Sequence, residues 1–120
     1  MKSEGEILEV MSMMTGTENY HKFSDIPSYP VATDGVITLA EMADCYWLLE
    51  IIGSYQSNRN LDSAFQVWKM EVDRENNSAV VYGCNDMEVI VKQDIPLTDF
   101  PLSEIKIFLI DGIILLPSEY

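Results

Sequence analysis

From Phe65 onward the apolar residues of this chain recur at every second position, and that period constrains the fold more than any other feature. Phe65-Gln66-Val67-Trp68-Lys69-Met70-Glu71-Val72 predicts a strand with Trp68, Met70 and Val72 on one face. Arg74 to Asn77 is expected to turn, Ser78 to Tyr82 to form a short strand, and Gly83 to Asp86 to turn again. Met87 to Lys92 is a third alternating run. Strands joined by such short turns pair antiparallel, so the segment is expected to be a meander. Ile105 to Ile110, then Asp111-Gly112, then Ile113 to Leu116 predicts a hairpin, because Asp-Gly supplies the positive φ angles of a type I′ turn. Ile105, Phe108 and Leu109 also fit one helical face, so 102–110 has a helical alternative; its isoleucines favour strand.

The first half of the chain follows a different period. Ile7, Val10, Met11 and Met14 fall on one face of a helix over residues 5–14, with Gly16 as a stop. Residues 17–35 read as loop, broken by Pro27, Pro30 and Asp34-Gly35. Thr38-Leu39-Ala40-Glu41 has the form of a capping box opening a helix. Leu39, Met42, Tyr46, Trp47, Leu49 and Ile52 wrap most of that helix, which is expected to be buried on more than one side and to end near Gly53–Asn58. The expectation is one α+β domain over residues 1–120: an antiparallel sheet of four to five strands packed on one buried helix, with an additional N-terminal helix. Trp47 and Trp68 are both expected in its core.

Charge narrows the classes of function. Twenty acids against seven Lys and Arg give a formal charge of −13, in a chain that is 48% hydrophobic. Binding a phosphate backbone needs clustered Lys and Arg, so direct nucleic-acid contact is not expected. An acidic surface suits a basic protein partner. No apolar stretch approaches the ~20 residues of a membrane span, and the acidic start does not resemble a secretory signal, so the expected place is the cytoplasm. Cys45 and Cys84 are then expected as reduced thiols, the alternative being a Cys45–Cys84 bridge.

Few residues offer chemistry. His21, the only histidine, has Asp25 and Asp34 near it in sequence, an arrangement that suits a general base with an orienting carboxylate. Asp34 and Asp99 each follow a threonine and precede a chain reversal. They suit paired acid–base work, or equally the backbone N–H groups of a turn or helix start. No Cys-x-x-Cys, no His-x-x-x-His, no calcium-loop spacing and no phosphate-cradling glycine loop occurs. No catalytic, cofactor-binding or metal residue is therefore assigned.

Several ordered motifs add a resemblance. Thr15-Gly16-Thr17-Glu18-Asn19-Tyr20-His21, Thr33-Asp34-Gly35-Val36, Tyr46-Trp47-Leu48-Leu49 and Phe65-Gln66-Val67-Trp68 are followed by Thr98-Asp99-Phe100-Pro101 and a terminal Leu115-Leu116-Pro117-Ser118-Glu119-Tyr120. Over residues 15–120 the chain resembles a small bacterial family of unknown function found among phage and mobile-element proteins, with residues 1–14 outside the similarity. The resemblance implies no activity or cofactor, and it implies an accessory or defence-related setting.

The expected function is a non-enzymatic acidic interaction protein that binds a basic partner. Its sharpest form is a mobile-element accessory or defence inhibitor that mimics nucleic acid. Self-association through the Met-rich N-terminal helix is a further expectation. The alternative is a small ligand-binding domain or enzyme built on Asp34, Asp99 and His21.

Overall fold

The computed structural model describes residues 4–13, 19–26 and 29–120. Three helices, α1 (Glu4–Met13), α2 (Asp34–Met42) and α3 (Tyr46–Ser54), accompany seven strands. The strands are β1 (Tyr20–Lys22), β2 (Val31–Thr33), β3 (Phe65–Asp73), β4 (Ser78–Asn85), β5 (Glu88–Ile95), β6 (Glu104–Ile110) and β7 (Ile113–Leu115), and a 3-10 turn follows over Pro117–Glu119. All seven strands form one sheet in the order β1-β2-β7-β6-β3-β4-β5. The fold is mixed α+β, and its sheet is larger than the four to five strands the period alone predicts.

The meander forms where the alternation placed it. β3 pairs antiparallel with β4 and with β6, so Trp68 stands between Gly83 and Ile107. The strand reading of 105–110 holds, and its helical alternative falls. Asp111 and Gly112 both take positive φ, 49° and 82°, between paired Ile110 and Ile113, as a type I′ turn requires. The second turn falls later than expected, at Asp86-Met87, and Gly83 lies inside β4. Trp68 is the reason for glycine there: a Cβ on Gly83 would lie 2.6 Å from its ring.

Residues 17–35, expected as loop, contain β1 and β2. Each spans three residues, too few to show a period, and β2 is held by parallel pairing with β7. The long buried helix is in fact two. Asp44 adopts φ 51°, a left-handed conformation that Asp tolerates, and breaks the helix between Met42 and Tyr46. Each half buries a single face, Val36, Leu39 and Ala40 in α2 and Leu48, Leu49 and Ile52 in α3. The helix cap is Thr33, five residues before the predicted Thr38. Thr33 leaves β2 extended and its hydroxyl accepts the Val36 N–H at 3.3 Å, whereas Thr38 donates to the Asp34 carbonyl inside the helix.

The helices pack on one face of the sheet. The core joins Ile7 of α1 and the buried faces of α2 and α3 to Trp68, Met70, Val81, Ile107 and Ile114. Trp68 is 2% exposed and its indole N–H donates to Gln66 Oε1 at 2.8 Å. Gln66 and Gln56 exchange amide hydrogen bonds at 2.9 and 3.0 Å, so the buried Gln66 is satisfied. Trp47 is only half-buried and packs at the margin, since α3 turns Leu48 and Leu49 inward instead. Met11 packs on the core while Met13 is 72% exposed. Met14, Gly16 and Pro27 lie outside the described residues.

Candidate functional site

Two of the three candidate side chains meet. β1 pairs with β2, placing His21 opposite Ala32, and Asp34 opens α2 directly after β2. His21 Nε2 lies 2.5 Å from Asp34 Oδ1, and Asn19 Nδ2 donates to Asp34 Oδ2 at 3.4 Å. The His21 hydrogen bond outweighs an opposing desolvation and, with smaller contributions from the Asn19 hydrogen bond and the charge of His21, holds the Asp34 carboxyl below its usual value. Both side chains are 44% exposed. The neighbouring cavity, about 300 Å³ and lined by Tyr20, Thr33, Ile113, Leu115 and Glu119 among others, includes neither of them.

Asp99 is elsewhere. It lies in the β5–β6 connection, where the Thr98 N–H donates to the Asn77 carbonyl in the β3–β4 turn at 2.7 Å. Strands β7 and β6 separate β2 from β3. The carboxylates of Asp34 and Asp99 are thus not a pair. Among the described residues no three His, Cys, Asp or Glu side chains gather in a way that suits a metal ion. Cys45 and Cys84 are free thiols. Burial, with Asp44 nearby, pushes Cys45 up to about 12, and burial raises Cys84 against the opposing charge of Lys69. Neither is a thiolate at neutral pH. No helix among the described residues is long and apolar enough to cross a membrane.

The terminal Ser-Glu-Tyr is a structural latch. Glu119 Oε1 accepts from Thr33 Oγ1 at 2.7 Å and from the Leu116 N–H at 3.0 Å. Its carboxylate sits so close to Gly35 that a Cβ there would lie 2.6 Å from Oε1. An anion in that place also favours the N-terminal end of α2. Ser118 Oγ donates to the Met11 carbonyl at 3.1 Å, tying α1 to the same segment.

The feature missed by reading strands singly is the other face of the sheet. Strand register lines its side chains up in rows. One row is Leu115–Phe108–Val67–Cys84–Val89, and beside it lie Ile113, Ile110 and Phe65. The next row along the strands is Lys106–Lys69–Tyr82–Lys92, and the one beyond is Glu104–Glu71–Val80–Asp94. Tyr120 completes an aromatic cluster with Phe65 and Phe108, its ring 6.0 and 5.7 Å from theirs and edge-on to both. Among the described residues no helix covers this face. Tyr120 is 77% and Val89 53% exposed, and Phe65, Phe108 and Val67 are half-buried. At the β6 end of the rows a cleft of about 400 Å³ opens beside α1, lined by Leu8, Met11, Ile105, Lys69, Lys106 and Glu104 among others.

One family model matches the chain, over residues 5–120, and its description is Family of unknown function (DUF6876). The match takes in α1, which the motif resemblance left outside, and α1 does belong to the core through Ile7. No curated protein and no solved structure matches.

Proposed function

We propose that this chain, which belongs to a family of unknown function, is a non-enzymatic interaction protein that docks a protein partner on the uncovered face of its sheet. One observation carries the reading: the helices shield one face, while Phe65, Phe108 and Tyr120 form an aromatic cluster on the other. Exposed contiguous apolar surface of this kind marks binding surfaces. The formal charge of −13 favours a partner that is basic overall, since long-range attraction speeds encounter. A nucleic-acid mimic is the sharper version, in the mobile-element or defence setting the motifs imply. It calls for carboxylates in phosphate-like array, and on this face a lysine row interrupts the acids, which favours the general version. Self-association through α1, where Leu8 and Met13 stay exposed, belongs to the same reading.

The test is affinity capture from the native host at ~50 and ~300 mM salt, spanning the change in screening length. Wild type and Phe108→Ser serve as paired baits. A protein captured by wild type, lost with Phe108→Ser and weakened by salt supports the proposal. Capture indifferent to Phe108 removes the face, and indifference to salt removes the electrostatic part. A second reading, acid–base chemistry, draws on the His21–Asp34 pair alone, and the exposure of that pair, which does not line the neighbouring 300 Å³ cavity, counts against it.

A further inference from the structure

We propose that the uncovered face receives an amphipathic helix of a partner protein, its apolar side on the Phe108 row and a line of carboxylates over the lysine row. This rests on the docking-face reading and adds the polarity of the partner. The chain is acidic as a whole, yet three of its seven basic residues, Lys69, Lys92 and Lys106, stand in one row of this face. Lys69 lies directly opposite Lys106, and one row away Glu71 lies directly opposite Glu104. Like charges directly opposite one another destabilise a sheet. A face shaped for solubility alone would cross its signs between strands. Along the strand the bands do attract, Lys69 Nζ lying 3.7 Å from Glu71 Oε1, but across the strands each band sets like charges side by side, and a partner banded in the same way relieves that.

The dimensions favour a helix. The Phe108 row crosses β7, β6, β3, β4 and β5, five strands about 4.8 Å apart, or roughly 19 Å, and the lysine row crosses the last four of them. A helix of about 13 residues has that length. A second copy fits poorly. A face-to-face pair about a twofold axis along the strands lays lysine row on lysine row. With the axis across the strands, matching lysines to acids slides the apolar rows out of the overlap. Single-stranded nucleic acid also uses aromatic side chains beside lysines. A strand with a phosphate at every nucleotide meets the repulsion of a chain carrying −13 overall, whereas a few carboxylates on one flank of a helix meet chiefly the lysine row.

The experiment uses the full chain and three fluorescent probes in anisotropy titrations at ~0.15 M salt, where charges beyond ~8 Å are screened. One probe is a 14-residue helical peptide with a leucine stripe and glutamates along one flank. The second carries lysines in place of those glutamates, and the third is a twelve-nucleotide oligouridine. Wild type should bind the glutamate peptide about tenfold tighter than the lysine peptide, since each of three exposed ion pairs adds a modest factor. Lys69→Glu/Lys106→Glu should reverse that order, and Phe108→Ser should weaken both peptides. Circular dichroism of each variant confirms the fold. A preference for the lysine peptide overturns the polarity and leaves the docking face standing. Binding of neither peptide, or binding unaffected by Phe108→Ser, overturns both. Tighter binding of oligouridine, lost in the double lysine variant, overturns the protein partner in favour of nucleic acid.

Discussion

On one side of the sheet Trp68 is 2% exposed beneath α3, and on the other Phe108 is half-buried, its ring against those of Phe65 and Tyr120. The two faces share strands, register and a taste for large apolar side chains, and they differ in what lies above them. α3 brings Tyr55 to within 6.1 Å of Trp68 and seats Leu48 and Ile52 over Met70 and Val81. The outer face has the 3-10 turn at its margin and the ring of Tyr120. Stability in this molecule therefore resides on one face, and the other is free to carry recognition.

Several measurements sharpen that contrast or break it. The largest effect belongs to the inner face: Trp68→Ala should cost ~3–5 kcal/mol in urea unfolding, and Phe108→Ala only ~1–2 kcal/mol. Equal losses would mean that both faces are covered in solution. Next, Gly83→Val should cost ~1–3 kcal/mol, because the new Cβ meets the Trp68 ring. Tyr82→Val, its neighbour on the outer face, should stay within ~1 kcal/mol by the same measurement. Glu119→Ala removes the acceptor of Thr33 and Leu116 and should cost ~1–2 kcal/mol. It should also shift the ring resonances of Tyr120, which the latch delivers to the outer face.

A smaller effect has the opposite sign. Lys106→Glu places an acid opposite Lys69 and should stabilise the isolated protein by ~0.2–1 kcal/mol, while weakening partner binding. Destabilisation instead would show that the lysine row serves the fold. Asp34 gives the last and smallest signal. Its carboxyl is held below the usual 3.8, so the stabilisation is present above that value and lost as pH falls through the lower folded pKa. A carboxyl-carbon NMR titration should find that midpoint below 3.8 and see it return toward 3.8 in His21→Ala.

Sequence patterning revealed what is local and left hidden what depends on distant pairing. Asp111-Gly112 names its own turn, and the alternation from Phe65 to Val72 names its own inward face. The division of the apolar run 39–52 at Asp44 left no trace, because Ala43 and Cys45 continue the pattern across the break. β1 and β2 are three residues each and acquire strand geometry from β7. His21 and Asp34 were legible as neighbours, whereas Asp99 sits in a loop tied to the β3–β4 turn through Thr98 and Asn77, away from β2. The outer face was out of reach for a different reason. Lys69, Lys92 and Lys106 are unremarkable in three separate strands and become a row only once the register of all three is fixed.

The parallel pairing of β2 with β7 has a consequence in time. The turns β3–β4, β4–β5 and β6–β7 each close over two to four residues, within reach of microsecond hairpin formation. Ala32 and Ile114 are about 80 residues apart in sequence, and even with the meander formed the segment between β2 and β3, residues 34–64, must close before they meet, at an entropic expense no hairpin bears. The meander is thus ready early, and β1, β2 and the start of α2 settle last. Until they do, the Ile114 end of the inner face lacks the cover of α2, and the order of assembly sets how long that apolar surface stays exposed.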